Sequence, residues 1–490
     1  MSMAAFSEAV GILLSAEALL LVALGILIGI VIGSLPGIGP ALGMALLLPL
    51  TLFLDGISAL VFLVSVYSGG VYGGSISAIL FNVPGTAASA ATTFDGYPMT
   101  RQGKAFTALS ISAISSSLSG ALIAITLILI SPFIVSFVLL FGSPEYFLIT
   151  ILGISMITIV SRGSMVKGVT AGVFGLALTT IGTSTISPVQ RYTFGTLLLY
   201  DGLEFIAIII GVFAISEMIK LSSEEGGIAK KEVELSGERL SGFKTVGGNI
   251  TTFLKSSYIG MMIGSIPGAG AAISNFVAYS EAVRSSNDPD SFGSGNVIGV
   301  LSSESSNNAT VGGSLIPTLS FGVPGSAATA VLLGGLIMHG VRPGPSLFTT
   351  DIHVVYSVFL AVLIGNVVIL IVGILLITRM NVITRVDTDY IITIIIILSV
   401  LGGYTLRNNW IDVFTILIFG YLGYYMVKYN YSIVAFILGA ILGGIAEENL
   451  DRSLRLSDGS VEIFFTSPLS IVLILAIVLI LLEPVIRHYR

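Results

Sequence analysis

Apolar residues fill most of this chain in long stretches, and polar residues are confined to short segments between them. No charged residue occurs between Lys104 and Glu145. A single helix through that stretch, rising about 1.5 Å per residue, would reach roughly 60 Å, about twice the hydrocarbon core of a bilayer. The pattern predicts two spans, or one span and a re-entrant segment, with a break at Ser131-Pro132. The whole chain is predicted to hold about 10 to 12 apolar elements, some too short to cross a membrane.

Four short segments rich in Gly and Pro interrupt the apolar pattern where a helix would otherwise continue. We name them the first break (residues 33–40), the second (82–86), the third (264–270) and the fourth (322–326). A broken helix in a bilayer leaves backbone groups unpaired, which is tolerated only where protein buries them or where they line a wet cavity. Paired breaks therefore predict a transporter's binding site. The candidate binding residues in them are Ser34, Pro36, Gly37, Gly39, Asn82, Pro84, Gly85, Thr86, Ser265, Pro267, Gly268, Gly270, Pro324, Gly325 and Ser326.

The breaks belong to an internal duplication, because three sequence blocks of the first half recur in the same order in the second. The matching pairs are Gly33-Ser34-Leu35-Pro36-Gly37 with Gly264-Ser265-Ile266-Pro267-Gly268, Gly73-Gly74-Ser75 with Gly312-Gly313-Ser314, and Val83-Pro84-Gly85 with Val323-Pro324-Gly325. We predict two membrane repeats, residues 1–221 and 255–490, joined by a charged cytoplasmic linker, residues 222–254. Breaks at corresponding positions of the halves also predict inverted topology, with a pseudo-twofold axis in the membrane plane.

The composition places the chain among membrane proteins. It is 54% hydrophobic and 10% charged, with mean hydropathy +1.01, whereas soluble domains carry about 25% charged residues. The predicted fold class is an all-α polytopic membrane protein with broken or re-entrant helices, crossing the cell membrane several times. No Lys or Arg precedes the first apolar stretch, so this stretch is predicted to be a permanent span and not a signal peptide. Lys and Arg concentrate in the linker and at the C-terminus, which predicts both inside and the N-terminus outside.

The breaks favour an anionic ligand, although they contain no Arg or Lys. A helix that starts after Pro-Gly presents unpaired N–H groups and a partial positive charge of about half a unit. Glycine allows close approach to the backbone, and hydroxyls such as those of Thr86 and Ser326 add donors, so a carboxylate or phosphate would fit. The alternative is that Gly and Pro here only permit close packing, as they commonly do in membrane helices.

Acidic and amide side chains are candidates for the substrate and for the coupling cation. Glu304, Asn307 and Asn308 lie just before the second Gly-Gly-Ser block, and an ionisable group at membrane depth is costly and usually functional. We expect Asn307 and Asn308 to contact the substrate, and Glu304, Asn308 and Asp95 to carry the coupling Na⁺ or H⁺. The alternatives are a loop position at headgroup level for Glu304 and a turn or cap role for Asp95.

Enzymatic chemistry finds little support in the sequence. The three histidines are scattered and there is no cysteine. No His/Asp/Glu cluster has metal-site spacing, and the Gly-rich segments lack the lysine of an ATP-binding loop. No basic domain indicates nucleic acid. The sequence predicts a protein that is not an enzyme and needs no cofactor beyond a coupling ion.

At these motifs the chain resembles the TctA family, the large membrane subunit of the tripartite tricarboxylate transporters. The resemblance covers most of the chain and is weaker after Leu401. It rests on Leu35-Pro36-Gly37-Ile38-Gly39-Pro40, Tyr72-Gly73-Gly74-Ser75, Asn82-Val83-Pro84-Gly85-Thr86, Ile266-Pro267-Gly268-Ala269-Gly270, Glu304 with Asn307-Asn308-Ala309, and Arg342-Pro343-Gly344-Pro345. The departures are Ser302-Ser303, where many members carry Pro, and Ala282, where a Lys is expected.

The resemblance implies secondary uptake of citrate-like di- and tricarboxylates by symport with Na⁺ or H⁺. The helix breaks predict that this uptake proceeds by alternating access around a site near the bilayer midplane. It also implies two partners, a small membrane subunit and an extracytoplasmic solute-binding protein, with a stand-alone variant as the alternative. The residues leave open a small-anion channel or exchanger and, more distantly, an integral membrane enzyme acting on lipid. Uncoupled flux would indicate the channel, and a lipid product would indicate the enzyme. The sequence predicts no oligomeric state.

Overall fold

The computed structural model describes residues 3–35, 38–160, 165–184, 189–223, 237–268, 270–375 and 388–488. These ranges are almost entirely helical, which confirms the predicted all-α polytopic class. Seven of the described helices are long and apolar enough to cross a membrane, and six shorter apolar helices accompany them. Apolar stretches fold in this way because a helix satisfies its backbone hydrogen bonds internally, as a bilayer requires.

The first half holds most of its residues in helices of very different length. The helices are α1 (Met3–Leu13), α2 (Ala16–Ser34), α3 (Pro40–Leu47), α4 (Gly56–Phe81), α5 (Thr93–Arg101), α6 (Ala105–Val138), α7 (Ser143–Val160), α8 (Met165–Leu178), α9 (Phe205–Ile209) and α10 (Ser216–Ser223). Three 3₁₀ turns lie at Leu48–Phe53, Ala87–Ala90 and Leu197–Leu199, and a π-helical segment, Ile210–Ile215, joins α9 to α10. Strands β1 (Gly182–Thr183) and β2 (Gln190–Arg191) form a short antiparallel hairpin with Gly182 opposite Arg191.

The second half begins with the same order of elements. Its helices are α11 (Ser241–Gly248), α12 (Ile250–Gly264), α13 (Gly270–Ser285), α14 (Val297–Phe321), α15 (Ala327–Met338), α16 (Pro345–Thr349), α17 (Ile352–Leu375), α18 (Thr388–Arg407), α19 (Trp410–Lys428), α20 (Ile433–Leu456) and α21 (Pro468–His488). Further 3₁₀ turns lie at Pro289–Ser291 and Val461–Phe465. In each half a long helix ends at the first break of that half, and a second long helix ends at the next break.

The segment between the halves contains more helix than its composition indicates. Residues 241–254, inside the predicted linker, lie in α11 and the start of α12. The helix α11 docks on α6, where the Gly242 N–H donates to Ser110 Oγ at 3.1 Å, and Val246 is buried. This contact with a distant helix stabilises a segment with few apolar residues. Residues 224–236 lie outside the described residues.

The long helix α6 continues through Pro132, so the break predicted at Ser131-Pro132 is wrong. Proline lacks the N–H that would bond the carbonyl four residues earlier. That carbonyl belongs to Ile128, and it accepts a hydrogen bond from Ser131 Oγ at 2.8 Å. The hydroxyl therefore replaces the missing donor, as Ser and Thr do in other membrane helices.

A seam of glycines joins the first long helix of each repeat to the second. A Cβ added to Gly29 of α2 would lie 2.4 Å from the Val66 carbonyl oxygen of α4. In the second repeat, a Cβ on Gly260 of α12 would lie 2.5 Å from the Ser306 carbonyl oxygen of α14. The backbones of both helix pairs are thus in direct contact. Such contact requires small residues, as is common between membrane helices.

The two helices of a seam run in the same direction. In the first repeat Gly25 faces Phe62, and Gly33, two turns later, faces Gly70. The breaks that follow α2 and α4 therefore lie at the same end of this pair, and the same holds for α12 and α14.

Equivalent helices of the two repeats pack against each other in opposite directions. Along the α4–α14 contact, the Tyr67 hydroxyl lies 3.2 Å from Ser314 Oγ, and Ser75 Oγ lies 3.3 Å from Asn307 Nδ2. Residue numbers thus rise along one helix and fall along the other. The α6–α17 contact is antiparallel in the same way, with Gly120 against Asn366 and Ser131 against Tyr356.

Candidate functional site

The four breaks meet around one cavity of about 530 Å³, which we call the break cavity. Its volume lies within the range of roughly 300–1,000 Å³ found for small-molecule sites. The helices α4 and α20 complete its wall through Tyr67, Val71 and Val434. The predicted residues that line it are Gly39, Pro84, Gly85, Thr86, Gly268, Gly270 and Ser326.

Three helix N-termini lie at the wall of the break cavity. The helices α3, α13 and α15 begin at Pro40, Gly270 and Ala327, which all line it. Each helix N-terminus presents N–H groups and about half a positive charge. No Asp, Glu, Lys, Arg or His is among the lining residues that the structure describes. The arrangement suits an anion that is held by backbone donors.

The second and fourth breaks share one local geometry. Helix α4 ends at Asn82 with φ 59°, and α14 ends at Gly322 with φ 68°, both in the left-handed region. This conformation turns the chain away from the helix axis, and Asn and Gly are the residues that adopt it most readily. Asn82 itself is exposed and does not line the break cavity. Its role in the structure is to end α4.

The hydroxyls of Thr86 and Ser326 cap the turns that follow these breaks. Thr86 Oγ1 accepts from the Ser89 N–H at 3.3 Å, and Ser326 Oγ accepts from the Thr329 N–H at 3.2 Å. Both belong to capping boxes. These side chains therefore fix the direction of the N–H groups at the wall of the cavity.

Tyr67 is a lining residue that sequence reasoning did not select. Its hydroxyl lies 3.1 Å from Ser326 Oγ and 3.2 Å from Ser314 Oγ, so it joins the first repeat to the fourth break. The available signal was its position immediately before Ser68-Gly69-Gly70, within the glycine-weakened part of α4.

Several other predicted residues are absent from the described lining of the break cavity. The Ser34 hydroxyl donates to the Val31 carbonyl at 2.8 Å, and the Ser265 hydroxyl donates to the Met262 carbonyl at 2.7 Å. Both hydroxyls are thus used within their own helices. Pro267, Pro324 and Gly325 are also absent from the described lining, and Pro36 and Gly37 lie outside the described residues.

Glu304 is completely buried in α14, which excludes the exposed loop position. Its carboxylate accepts hydrogen bonds from the hydroxyls of Thr92 at 2.5 Å, Ser112 at 2.9 Å and Ser116 at 2.8 Å. Within the described part of the chain, it forms no ion pair with a basic side chain. The carboxylate does not line the break cavity, but Thr92 follows the turn that begins at Thr86.

Asn307 lies one layer behind the break cavity. Its amide donates to the Val71 carbonyl at 3.2 Å, and its Oδ1 accepts from Asn275 Nδ2 at 3.0 Å. Asn275 also donates to the carbonyl of Ala88 at 2.9 Å. Val71 and Ala88 are lining residues, so Asn307 contacts the wall through the backbone and does not itself line the cavity.

Asn308 points toward α17 and away from the break cavity. Its Nδ2 donates to Asn366 Oδ1 at 3.0 Å, while its own Oδ1 is buried without a hydrogen-bond partner among the residues that the structure describes. A buried acceptor of this kind is costly unless a donor or cation completes it.

Asp95 holds the loop that precedes α14. Its carboxylate accepts from the Tyr279 hydroxyl at 2.8 Å and from the N–H groups of Gly293, Gly295 and Asn296 at 2.9, 2.8 and 2.7 Å. These four donors favour the turn or cap role. Among the residues described, no group of three or more His, Cys, Asp or Glu could hold a metal ion.

The fold and this site define a multi-pass, almost entirely helical membrane protein in which two copies of a helix-break motif surround one cavity, without a charged side chain in its described lining. A sequence profile described as "Tripartite tricarboxylate transporter TctA family" matches residues 19–438. The chain belongs to the tripartite tricarboxylate transporter TctA family. Membership makes it a component of a tripartite transporter, which implies partner subunits.

Two relatives from Agrobacterium vitis support the assignment. The "Uncharacterized 52.8 kDa protein in TAR-I ttuC' 3'region" is 33% identical over 449 residues, which cover 91% of this chain and 89% of the relative. The "Uncharacterized protein in TAR-II ttuC' 3'region" is 32% identical over 234 residues, covering 47% of this chain and 97% of the relative. No solved structure matches the chain.

Proposed function

We propose that this protein takes up citrate-like di- and tricarboxylates together with Na⁺ or H⁺, with the break cavity as the substrate site. The proposal rests on one observation: three helix N-termini meet at a cavity whose described lining contains no charged side chain. Substrate carboxylates would accept from backbone N–H groups at the starts of α3, α13 and α15. Such sites at broken helices are typical of secondary transporters.

The neutral wall gives coupling a physical origin. No Lys or Arg lines the break cavity among the described residues, so helix ends alone would have to neutralise two or three carboxylates. A cation that enters with the substrate lowers the electrostatic cost of holding the anion in a low-dielectric site. Cation and substrate then bind better together than apart, which is the thermodynamic requirement of symport.

Glu304 and Asn308 are the proposed cation groups. Glu304 supplies a buried carboxylate without a basic partner in the described chain, and Asn308 supplies an unpartnered Oδ1. Glu304 connects to the break cavity through Thr92 and the capped turn Ala87–Ala90. Asp95, which already accepts four hydrogen bonds, is the weaker candidate.

Alternating access is proposed to follow from inverted repeats. Equivalent helices that pack antiparallel, as α4 with α14 and α6 with α17, are expected when two repeats cross the membrane in opposite directions. The linker is proposed to lie in the cytoplasm because several Lys and Arg residues concentrate in and around it. A small membrane subunit and an extracytoplasmic solute-binding protein are the proposed partners.

Uptake of labelled citrate, succinate and malate into proteoliposomes tests this function, with imposed Na⁺ or H⁺ gradients and with or without a solute-binding protein. The proposal predicts accumulation above equilibrium that depends on one of the two gradients. Flux that only equilibrates the acid would favour the channel, and product formation from lipid would favour the enzyme.

A further inference from the structure

A second cavity of about 780 Å³ lies beside the fourth break, and we call it the arginine cleft. Its inner wall consists of Phe141, Tyr146 and Phe321, whose rings contact one another at centroid distances of 5.0 to 6.3 Å. Arg342, Pro343 and Pro345 also line it, together with the second half of α20. None of these residues belongs to the break cavity.

The charge of the arginine cleft is positive. Arg342 and Arg452 line it, and Glu448 is the acidic residue in its described lining. Glu448 is paired with Arg452 at 2.5 Å on the same helix. Arg342 is exposed and forms no ion pair or hydrogen bond with the described residues. One guanidinium is therefore free to bind an anion, beside the neutral donors of Ser346 and Asn449.

The nearby carboxylate of Glu145 is held by donors other than Arg342. Glu145 follows the lining residue Ser143 but is not part of the lining. Its carboxylate accepts from the Gly142 N–H and from the hydroxyls of Ser467 and Ser470, at 2.9, 2.5 and 2.7 Å. It is thus held between Gly142 and the start of α21, and no ion pair joins it to Arg342 within the described residues.

The arginine cleft is joined to the break cavity by two elements. A Cβ added to Gly322, the first residue of the fourth break, would lie 3.2 Å from both Ile445 and Pro343, which line the cleft. Helix α20 lines the break cavity at Val434 and the cleft from Ile445 onward. These eleven residues correspond to roughly 17 Å along a helix. An anion in the cleft would be about that far from the break cavity.

The position of the cleft relative to the linker indicates on which side of the membrane the cleft opens. Arg191 of the hairpin binds Glu447 at 2.8 Å, next to the cleft residues of α20. The span Phe205–Ser222 then leads from the hairpin side to the linker side. With the linker in the cytoplasm, the arginine cleft faces the opposite, extracytoplasmic side.

The geometry points to the arginine cleft as a second anion site, which receives the di- or tricarboxylate through Arg342 before it moves to the break cavity. This inference rests on the proposed function for its substrate class. The whole chain has net charge −6 and would repel a polycarboxylate, so a local guanidinium raises the substrate concentration at the mouth. Arginine suits this task because its planar fork matches a carboxylate.

The labelling rate of an introduced cysteine reports the electrostatic potential of the cleft and whether an anion occupies it, and the measurement needs no transport assay. The natural chain has no cysteine, and Ser346 is exposed in the lining. In Ser346→Cys, a negatively charged methanethiosulfonate should react faster than a positively charged one. Adding Arg342→Gln should reverse or abolish this preference, while Arg101→Gln, which removes an exposed charge elsewhere, should not. Citrate should slow labelling only when Arg342 is present.

Two results would overturn the site. The first is an equal reaction rate for both reagents with no protection by citrate. The second is protection by phosphatidylglycerol but not by citrate, which would assign the cleft to lipid headgroups. If citrate protects Ser346→Cys but no carboxylate is transported, the site stands and the proposed function fails.

Uptake kinetics in the assembled transporter test the role of the site. Arg342→Gln should raise KM for the transported acid roughly 3- to 10-fold with kcat unchanged, and the difference from wild type should shrink at high salt. Arg342→Lys should recover much of the loss, and Arg101→Gln should leave KM unchanged. An unchanged KM in Arg342→Gln would show that the cleft does not serve uptake.

Discussion

Glu304 is a completely buried carboxylate whose partners are the hydroxyls of Thr92, Ser112 and Ser116. A hydrogen bond to a charged group contributes about 1.5–3 kcal/mol. Removing an ion from water costs several kcal/mol even after relaxation. The hydroxyls offset much of that cost but leave the charge itself uncompensated, so a proton or a cation is expected on Glu304 for part of the transport cycle.

Glu304→Gln tests this expectation because it keeps the shape and removes the charge. It should lower gradient-driven accumulation at least about 10-fold, while exchange of labelled for unlabelled substrate across the membrane continues. The matched control is Glu145→Gln, since Glu145 is also a nearly buried carboxylate with hydroxyl partners. It should accumulate substrate as the wild type does. Normal accumulation in Glu304→Gln would remove this residue from the coupling.

At the scale of elements, the glycine seam between α2 and α4 determines where the first two breaks lie. It holds the two helices in backbone contact and in the same direction, so that the residues after them reach one cavity. The seam between α12 and α14 does the same for the other pair. A larger side chain in place of a seam glycine would therefore push apart the two helices that position the breaks.

Gly29→Ala should therefore destabilise the protein. Its Cβ would lie 2.4 Å from the Val66 carbonyl oxygen, where only backbone movement can make room. Overpacking of this kind costs about 1–3 kcal/mol. The control is Gly11→Ala in α1, where no atom lies within 4 Å of the added Cβ. Thermal unfolding in detergent should show a lower midpoint for Gly29→Ala than for the wild type and an unchanged midpoint for Gly11→Ala. An unchanged midpoint for Gly29→Ala would mean that the two helices accommodate the added Cβ at little energetic cost.

The break loops were predictable from sequence because Pro and Gly interrupt a helix through their own backbone properties, which do not depend on contacts with distant residues. The continuation of α6 through Pro132 could not be predicted in this way, because it depends on which carbonyl the Ser131 hydroxyl contacts. Tyr67 was missed for a related reason, since its hydroxyl reaches the fourth break only through the antiparallel packing of α4 on α14. Asn307 was predicted at the substrate but lies behind the wall, because α14 directs its side chain toward Val71 and Asn275.

At the scale of the whole molecule, the antiparallel contacts of α4 with α14 and of α6 with α17 are those expected of the proposed pseudo-twofold relation between the halves. The proposed inverted topology follows if these helices cross the membrane, and it places corresponding residues of the two repeats on opposite sides. Leu14, after α1, and Lys244, in α11, occupy similar places at the start of each repeat and are both exposed.

Single cysteines at these positions test the topology in intact cells. Leu14→Cys should react with a membrane-impermeant maleimide from outside, whereas Lys244→Cys should react only after permeabilisation. The natural chain contributes no background because it has no cysteine. Labelling of both variants from the same side would contradict inverted repeats, although the duplication itself would remain.

The claim that the break cavity binds the carboxylate is tested most directly by Gly39→Leu. Gly39 lines the cavity and precedes Pro40 with φ −71° and ψ 171°, a conformation open to leucine. Within the described part of the chain, no atom beyond Gly39 and its two chain neighbours lies within 4 Å of a Cβ added there. The measurement is uptake of labelled citrate, succinate and malate into proteoliposomes, with Gly11→Leu as the control for folding and insertion. We predict that Gly39→Leu is folded and loses uptake of every acid that the wild type accumulates. Wild-type uptake by Gly39→Leu would contradict the account, because the substrate would then bypass the space that the four breaks enclose.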